Sequence, residues 1–107
     1  MAHKLIYFKP SNQMSFKMFA EFYELVLEVN VRDNLDKMHD KYYFVKFTGY
    51  VLREGCLVRG VHGNGRTIKA AINDYMRQIS GRILEEYRTK REIRVPKLTA
   101  VGKIKGV

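Results

Sequence analysis

The chain has 107 residues, of which 20 are basic and 11 acidic, giving a formal net charge of +9 and a mean hydropathy of −0.33. This length suits one domain with a single core, and no apolar run approaches the ~20 residues that a membrane-spanning helix requires. The apolar start is short and is interrupted by Lys9 and Pro10, so we expect no signal peptide and a cytoplasmic location. Cys56 is the single cysteine, which excludes an intramolecular disulfide.

The first half of the chain contains signals for one helix and three strands. Apolar residues at helical spacing predict a helix over 15–23, and Ser15 is a suitable N-cap. Alternation of apolar and polar residues then predicts a half-buried strand over 25–31. The aromatic and β-branched residues of 41–50 predict a second strand, and 56–61 a short third one.

The clearest predicted element is a second helix over 67–80. Thr67 is a good N-cap for it, and Gly81 is expected to end it with a positive φ. Strands over 82–87 and 91–95 follow. The predicted order is α-β-β-β-α-β-β, an α+β domain with helices on one face of an antiparallel sheet.

The last part of the chain is the most basic. Residues 82–107 carry 8 basic and 3 acidic side chains, a net charge of +5. We expect one folded domain over 1–98 and a mobile basic tail over 99–107 that assists binding by long-range electrostatics.

The segment 60–67, Gly-Val-His-Gly-Asn-Gly-Arg-Thr, follows a predicted strand and opens the second helix. It has the glycine spacing of a nucleotide-binding loop, but Arg66 replaces the lysine and no later strand ends in a magnesium-binding Asp. Two interpretations stay open. The first is a glycine-rich turn with positive φ angles. The second is anion capture at the helix N-terminus by four side chains, Arg59, His62, Arg66 and Lys69.

The same region resembles the last strand and helix of double-stranded-RNA-binding domains. The matching residues are Gly63, Gly65, Thr67, Lys69 and Ala71. Ile68 and Ile72 stand where that family has lysines, so the likeness is limited to about fifteen residues of local structure. HicB-type antitoxins share a similar strand, turn and helix.

A longer resemblance connects the chain with small accessory proteins of phages and prophages of Gram-positive bacteria. It covers about residues 41–98 and rests on Gly-Asn-Gly-Arg-Thr at 63–67, Ala-Ile-Asn-Asp-Tyr at 71–75, Ile-Ser-Gly at 79–81 and Arg-Glu-Ile-Arg-Val-Pro at 91–96. Arg66 departs from the lysine of that pattern. The resemblance implies a phage protein that acts in the cytoplasm of a bacterial host, a class that includes inhibitors of host defence such as anti-CRISPR proteins.

The aromatic strand has two faces, of which only one can pack against helices. Tyr42, Phe44 and Tyr50 share one face, and the other carries Tyr43, Val45 and Phe47. We expect the N-terminal helix to cover the first face. The alternative is an exposed face whose rings, beside Lys46, stack on bases.

Signals for catalysis and for metal binding are weak. Asp33, Asp36 and Asp40 share a loop that lacks the glycine and closing Glu of a calcium site. Cys56 and His62 are too few ligands for structural zinc, and we expect Cys56 to pack within a strand. The sequence therefore predicts a non-enzymatic protein without a cofactor or metal.

Charge and resemblance together predict a binding function. The main hypothesis is inhibition of a host-defence protein or nucleoprotein, such as a CRISPR effector nuclease with its guide RNA. The alternative is a free-standing protein that binds nucleic acid without sequence preference. No membrane partner is expected. The candidate contact residues are Arg59, His62, Asn64, Arg66, Lys69, Arg88, Lys90 and Arg91.

Overall fold

A computed structural model describes residues 14–33 and 41–99, and the α+β class is confirmed. Within these ranges the helices are α1 (Phe16–Phe22) and α2 (Ile68–Ile79). The strands are β1 (Met14–Ser15), β2 (Leu27–Asp33), β3 (Lys41–Phe47), β4 (Tyr50–Glu54), β5 (Leu57–Arg59), β6 (Gly63–Gly65), β7 (Ile83–Glu86), β8 (Glu92–Arg94) and β9 (Leu98–Thr99).

A long bent hairpin organises the sheets. One arm runs through β3 and β4, and the other returns through β5 and β6. The strand predicted over 41–50 is interrupted at Thr48 and Gly49, because Gly49 has a φ of +83°, which side-chain-bearing L-residues rarely adopt. The hairpin therefore contributes its two halves to different sheets.

The strands form two antiparallel sheets and one short parallel pair. The three-stranded sheet has the order β2-β3-β6, the four-stranded sheet has the order β5-β4-β7-β8, and β1 pairs with β9. At the bend the Thr48 N–H donates to the Val26 carbonyl, and the Gly49 carbonyl accepts from the Tyr87 N–H. These bonds connect the interruption to both sheets.

Both helices pack on the inner face of the three-stranded sheet, the face that carries Val45 and Phe47. Phe16 of α1 stacks on Phe47 with ring centroids 5.1 Å apart, and Tyr75 of α2 meets the same ring edge-on at 5.5 Å. The buried apolar core comprises Phe16, Phe19, Val45, Phe47, Tyr50, Leu52, Val61, Ala71, Tyr75, Met76, Ile79, Leu84, Ile93, Val95 and Leu98.

The predicted helix N-caps are confirmed. The Ser15 hydroxyl accepts from the Met18 N–H at 3.0 Å, and the Thr67 hydroxyl accepts from the Ala70 N–H at 3.0 Å. Each bond satisfies a backbone donor that the first helical turn leaves unpaired.

Of the two interpretations of the segment 60–67, the glycine-rich turn is wrong, because Gly63–Gly65 form strand β6. None of its glycines has a positive φ. A Cβ built on Gly63 would lie 2.6 Å from the Tyr75 N, and one on Gly65 would lie 2.6 Å from the Ala71 N. The missing side chains allow α2 to lie directly on β6, so these glycines serve close packing and not a left-handed turn.

Gly81 follows α2 with a φ of +76°, as predicted, and its N–H donates to the Val95 carbonyl. Replacing Gly81 with alanine should cost about 1 kcal/mol, because a side chain disfavours this φ while the surrounding space is open. Thermal unfolding measures the difference. Gly60→Ala is the matched control, since Gly60 has open space and no positive φ. Equal melting temperatures for both variants would contradict the assignment.

The chain beyond β8 contributes to the core. Leu98 is buried and, with Thr99, pairs with β1. The remainder of the predicted tail, 100–107, lies outside the described residues. Across 14–33 and 41–99, no helix is long and apolar enough to cross a membrane.

Candidate functional site

The strongest candidate site is the outer face of the three-stranded sheet, opposite the helices. The register places Phe44 between Asn30 and Asn64, and Tyr42 beside Arg32. Directly paired residues share a face, so these five side chains lie on one surface. We call it the outer sheet face; it also includes Glu28 and Lys46, which pair across β2 and β3.

Both aromatic rings of this face have an arginine guanidinium over them. The Arg32 Cζ lies 5.4 Å from the centroid of the Phe44 ring, and the Arg66 Cζ lies 5.9 Å from that of Tyr42. The His62 ring meets Phe44 edge-on at 6.5 Å. Rings and cations thus alternate across the surface, an arrangement suited to flat, anionic ligands.

The centre of the outer sheet face is an open groove of about 420 Å³. Its lining residues are Asn30, Arg32, Phe44, His62 and Asn64. The two amides supply donors and acceptors, Arg32 supplies a positive charge, and Phe44 supplies an apolar surface. The groove can therefore combine stacking with hydrogen bonding.

The expected cover over the aromatic strand is absent from the described residues. Helix α1 packs on Phe47, which belongs to the inner face, while Tyr42 and Phe44 are half-buried on the outer face. Tyr50 is buried, because the bend at Thr48 and Gly49 carries it into the other sheet. The alternation predicted which residues share a face of β3 but not which face the helices cover.

Polar side chains of α2 hold the β6 edge of the groove. The Asp74 Oδ2 accepts from the Asn64 N–H at 2.9 Å, and the Gln78 Nε2 donates to the His62 carbonyl at 2.7 Å. The same Asp74 carboxylate accepts from Gln78 and from Arg77. The backbone of His62 and Asn64 is thereby tied to the helix, which positions both side chains.

The structure brings three of the eight predicted site residues together and places the other five elsewhere. His62 and Asn64 line the groove, and Arg66 lies over the adjacent Tyr42. Lys69 is exposed on the first turn of α2 and does not line the groove. Arg59 lies in the four-stranded sheet, where its Nε is 3.2 Å from a Glu54 carboxylate oxygen.

The Glu54 carboxylate also contacts Arg82. The hydrogen bond from Arg59 is the main cause of a lowered pKa for Glu54, and the charges of both arginines add to it. Arg59 therefore belongs to an exposed ion-pair cluster at the hairpin end and not to the helix N-terminus.

The remaining predicted residues, Arg88, Lys90 and Arg91, lie at the turn between β7 and β8. The Lys90 Nζ is 5.6 Å from the Tyr87 ring centroid, and the Arg91 Cζ is 5.8 Å from that of Tyr23. This turn belongs to the four-stranded sheet, so it forms a second basic surface separate from the groove.

Sequence reasoning missed Asn30 and Arg32, which form the β2 side of the groove. The alternation that predicted this strand also places both on one face, a signal that was available. Asn30 pairs with Phe44, and Arg32 with Tyr42, only because of the register between β2 and β3, and the pattern alone does not supply that register.

Cys56 is exposed in the turn between β4 and β5, contrary to the expectation that it packs within a strand. The paired residues Glu54 and Leu57 leave only Gly55 and Cys56 to form the turn, so Cys56 falls outside the ladder. In the described part of the chain, no three His, Cys, Asp or Glu side chains are grouped to hold a metal ion.

Comparison with known proteins assigns no family. No protein-family model, curated protein or solved structure matches the chain. The resemblances to phage accessory proteins, to double-stranded-RNA-binding domains and to HicB-type antitoxins therefore stay predictions.

Proposed function

We propose that the chain binds single-stranded nucleic acid on the outer sheet face, through stacking on Tyr42 and Phe44. The observation that carries this proposal is the placement of two half-exposed rings at alternate positions of a central strand, each with an arginine guanidinium over it. Alternate residues of a strand are about 7 Å apart, so each ring can take one base of an extended strand.

Charge favours a nucleic acid as the ligand, and the exposed rings favour a single strand over a duplex. Arg32 and Arg66 flank the rings, and Lys46 lies on the same face, so phosphates meet positive charge as bases meet rings. Stacking on a side chain requires a base that is not already stacked on its neighbours. Asn30 and Asn64 add hydrogen-bonding groups at the groove.

Inhibition of a host-defence nucleoprotein, specifically an anti-CRISPR activity, is one role that this binding surface would serve, and it stays a prediction. A base-stacking surface suits a partner that presents single-stranded RNA or DNA, as an RNA-guided nuclease does. Binding to such a nuclease should then require its guide RNA. Equal binding to the guide-free enzyme would favour a protein surface as the target.

Replacing either ring with leucine tests the proposal directly. Phe44→Leu and Tyr42→Leu keep an apolar side chain on β3 but remove the stacking surface. Each should weaken binding by about 5- to 150-fold, since one base–aromatic stack contributes about 1–3 kcal/mol. The measurement is fluorescence anisotropy of a labelled, unstructured oligonucleotide, with a duplex of equal length for comparison.

Tyr87→Leu is the matched control. Tyr87 is 66% exposed and has Lys90 beside its ring, yet it lies on the other sheet. Its replacement should leave affinity unchanged. If all three variants bind like the parent, or if all three lose affinity equally, the outer sheet face is not the binding site.

A further inference from the structure

The edge of the three-stranded sheet offers a second interaction surface. β2 is seven residues long, and among the described strands only β3 pairs with it. An edge strand presents unpaired backbone N–H and C=O groups along its free side, which another strand can pair with. Two of the usual protections of an edge strand, a proline and a short length, are missing from Leu27–Asp33.

The inner face of this edge is also apolar, and the described part of the chain leaves it exposed at Val29 and Val31. Val29 and Val31 are 43% and 57% exposed. Helix α2 packs on β6 and β3, because Gly63 and Gly65 let it approach β6 closely, and this position leaves the β2 side of the sheet open. A partner at this edge would therefore bury both valines and satisfy the free backbone groups.

The five central residues of β2, Glu-Val-Asn-Val-Arg at 28–32, are complementary to themselves when read in the opposite direction. With Asn30 opposite the Asn30 of a second copy, Glu28 faces Arg32 and Val29 faces Val31, each twice. Opposite charges and β-branched pairs are stabilising across an antiparallel ladder.

Other registers lose this match. After a shift of one residue, backbone groups at the free edge of one copy would oppose groups of the other copy that point toward its own β3. The side chains of the paired residues would also lie on opposite faces of the sheet. A shift of two residues in either direction separates Glu28 from Arg32. Only the register centred on Asn30 forms both charge pairs.

We infer that the chain forms a homodimer in which two copies of β2 pair antiparallel about a two-fold axis at Asn30. The two three-stranded sheets would join at β2 into one continuous six-stranded sheet. The interface is isologous, meaning that both copies use the same surface, as a two-fold dimer requires. Because the axis is perpendicular to the sheet, the outer sheet faces of both copies lie on one side. Dimerisation goes beyond the proposed nucleic-acid binding and does not depend on it.

Charge reversal with rescue tests this register. Arg32→Glu would set two carboxylates against each other at both pairs, and Glu28→Arg would set two guanidinium groups against each other there. Each variant should therefore weaken dimerisation by about tenfold or more. The double variant Glu28→Arg with Arg32→Glu restores opposite charges at both pairs and should recover the dimer. The measurement is molar mass by light scattering across a concentration series, in the absence of nucleic acid.

Rescue would report on the interface because residues 28 and 32 are about 13 Å apart along one strand and cannot pair within a chain. Lys69→Glu is the matched control, since it makes the same charge change on α2 and should leave the dimer intact. Unfolding curves verify that each variant folds.

Two outcomes would overturn the inference. The first is a parent protein that keeps its 12.6 kDa monomer mass at every concentration. This result would mean that a second copy does not pair with β2. The second is a double variant that dimerises as weakly as the single ones, which would exclude this register.

Discussion

Replacing Gly63 with alanine is expected to destabilise the domain by about 3 kcal/mol or more, at the upper end of overpacking costs. The added Cβ would lie 2.5 Å from the Tyr75 Cβ and 2.6 Å from its backbone N, and closer still to the Ala71 carbonyl. Backbone atoms of α2 cannot move aside as a flexible side chain can, so the helix must lift from β6. The urea unfolding midpoint measures the loss.

Gly65→Ala should behave similarly, because its Cβ would lie 2.6 Å from the Ala71 N and 2.7 Å from the Ala70 Cβ. Gly60→Ala, in open space in the same segment, should leave stability nearly unchanged. A Gly63→Ala variant as stable as Gly60→Ala would mean that α2 does not lie against β6. Loss of nucleic-acid binding in a folded Gly65→Ala variant would indicate that the helix positions the groove.

The buried Tyr75 hydroxyl is expected to produce a second large effect. It accepts the Phe47 N–H at 3.0 Å, and burial raises the pKa of Tyr75 to about 12, an effect that the Phe47 hydrogen bond partly offsets. Tyr75→Phe removes that acceptor from a buried donor and should cost about 1–3 kcal/mol at neutral pH. Chemical denaturation at neutral pH measures this loss.

The same group should make the native state sensitive to alkali. In the unfolded chain Tyr75 ionises near pH 10, whereas the folded state holds its proton until about pH 12. The raised pKa therefore stabilises the fold below pH 10, and this contribution, about 3 kcal/mol, is lost as the pH rises to 12. The stability difference between the parent and Tyr75→Phe should shrink over that range. A constant difference would show that Tyr75 ionises equally in both states.

Local signals in the sequence determined both helices, the start of each and the end of α2. Ser15 and Thr67 are caps whose hydroxyls reach back into the first turn, and Gly81 supplies a φ that other residues resist. These features depend on residues within one or two turns, so the sequence alone is sufficient for them. The α+β class follows from the same local alternation and periodicity.

The division of the strands between sheets depended on tertiary structure. The run 41–50 reads as one strand, yet Gly49 bends it so that Phe47 and Tyr50 enter different sheets. The glycines of β6 give the same sequence signal as a turn. Their role becomes evident only when the Ala71 and Tyr75 backbone is placed 2.6 Å from where their Cβ atoms would be.

The candidate site was decided by register and by the side on which the helices pack. Sequence patterns identified Tyr42 and Phe44 as one face and His62, Asn64 and Arg66 as a polar segment, but they did not place these groups beside each other or beside Arg32. A strand pattern has two equivalent faces until a helix covers one. Here the absence of side chains at Gly63 and Gly65 fixes α2 on the inner face, and that contact leaves the rings and arginines on the outer one.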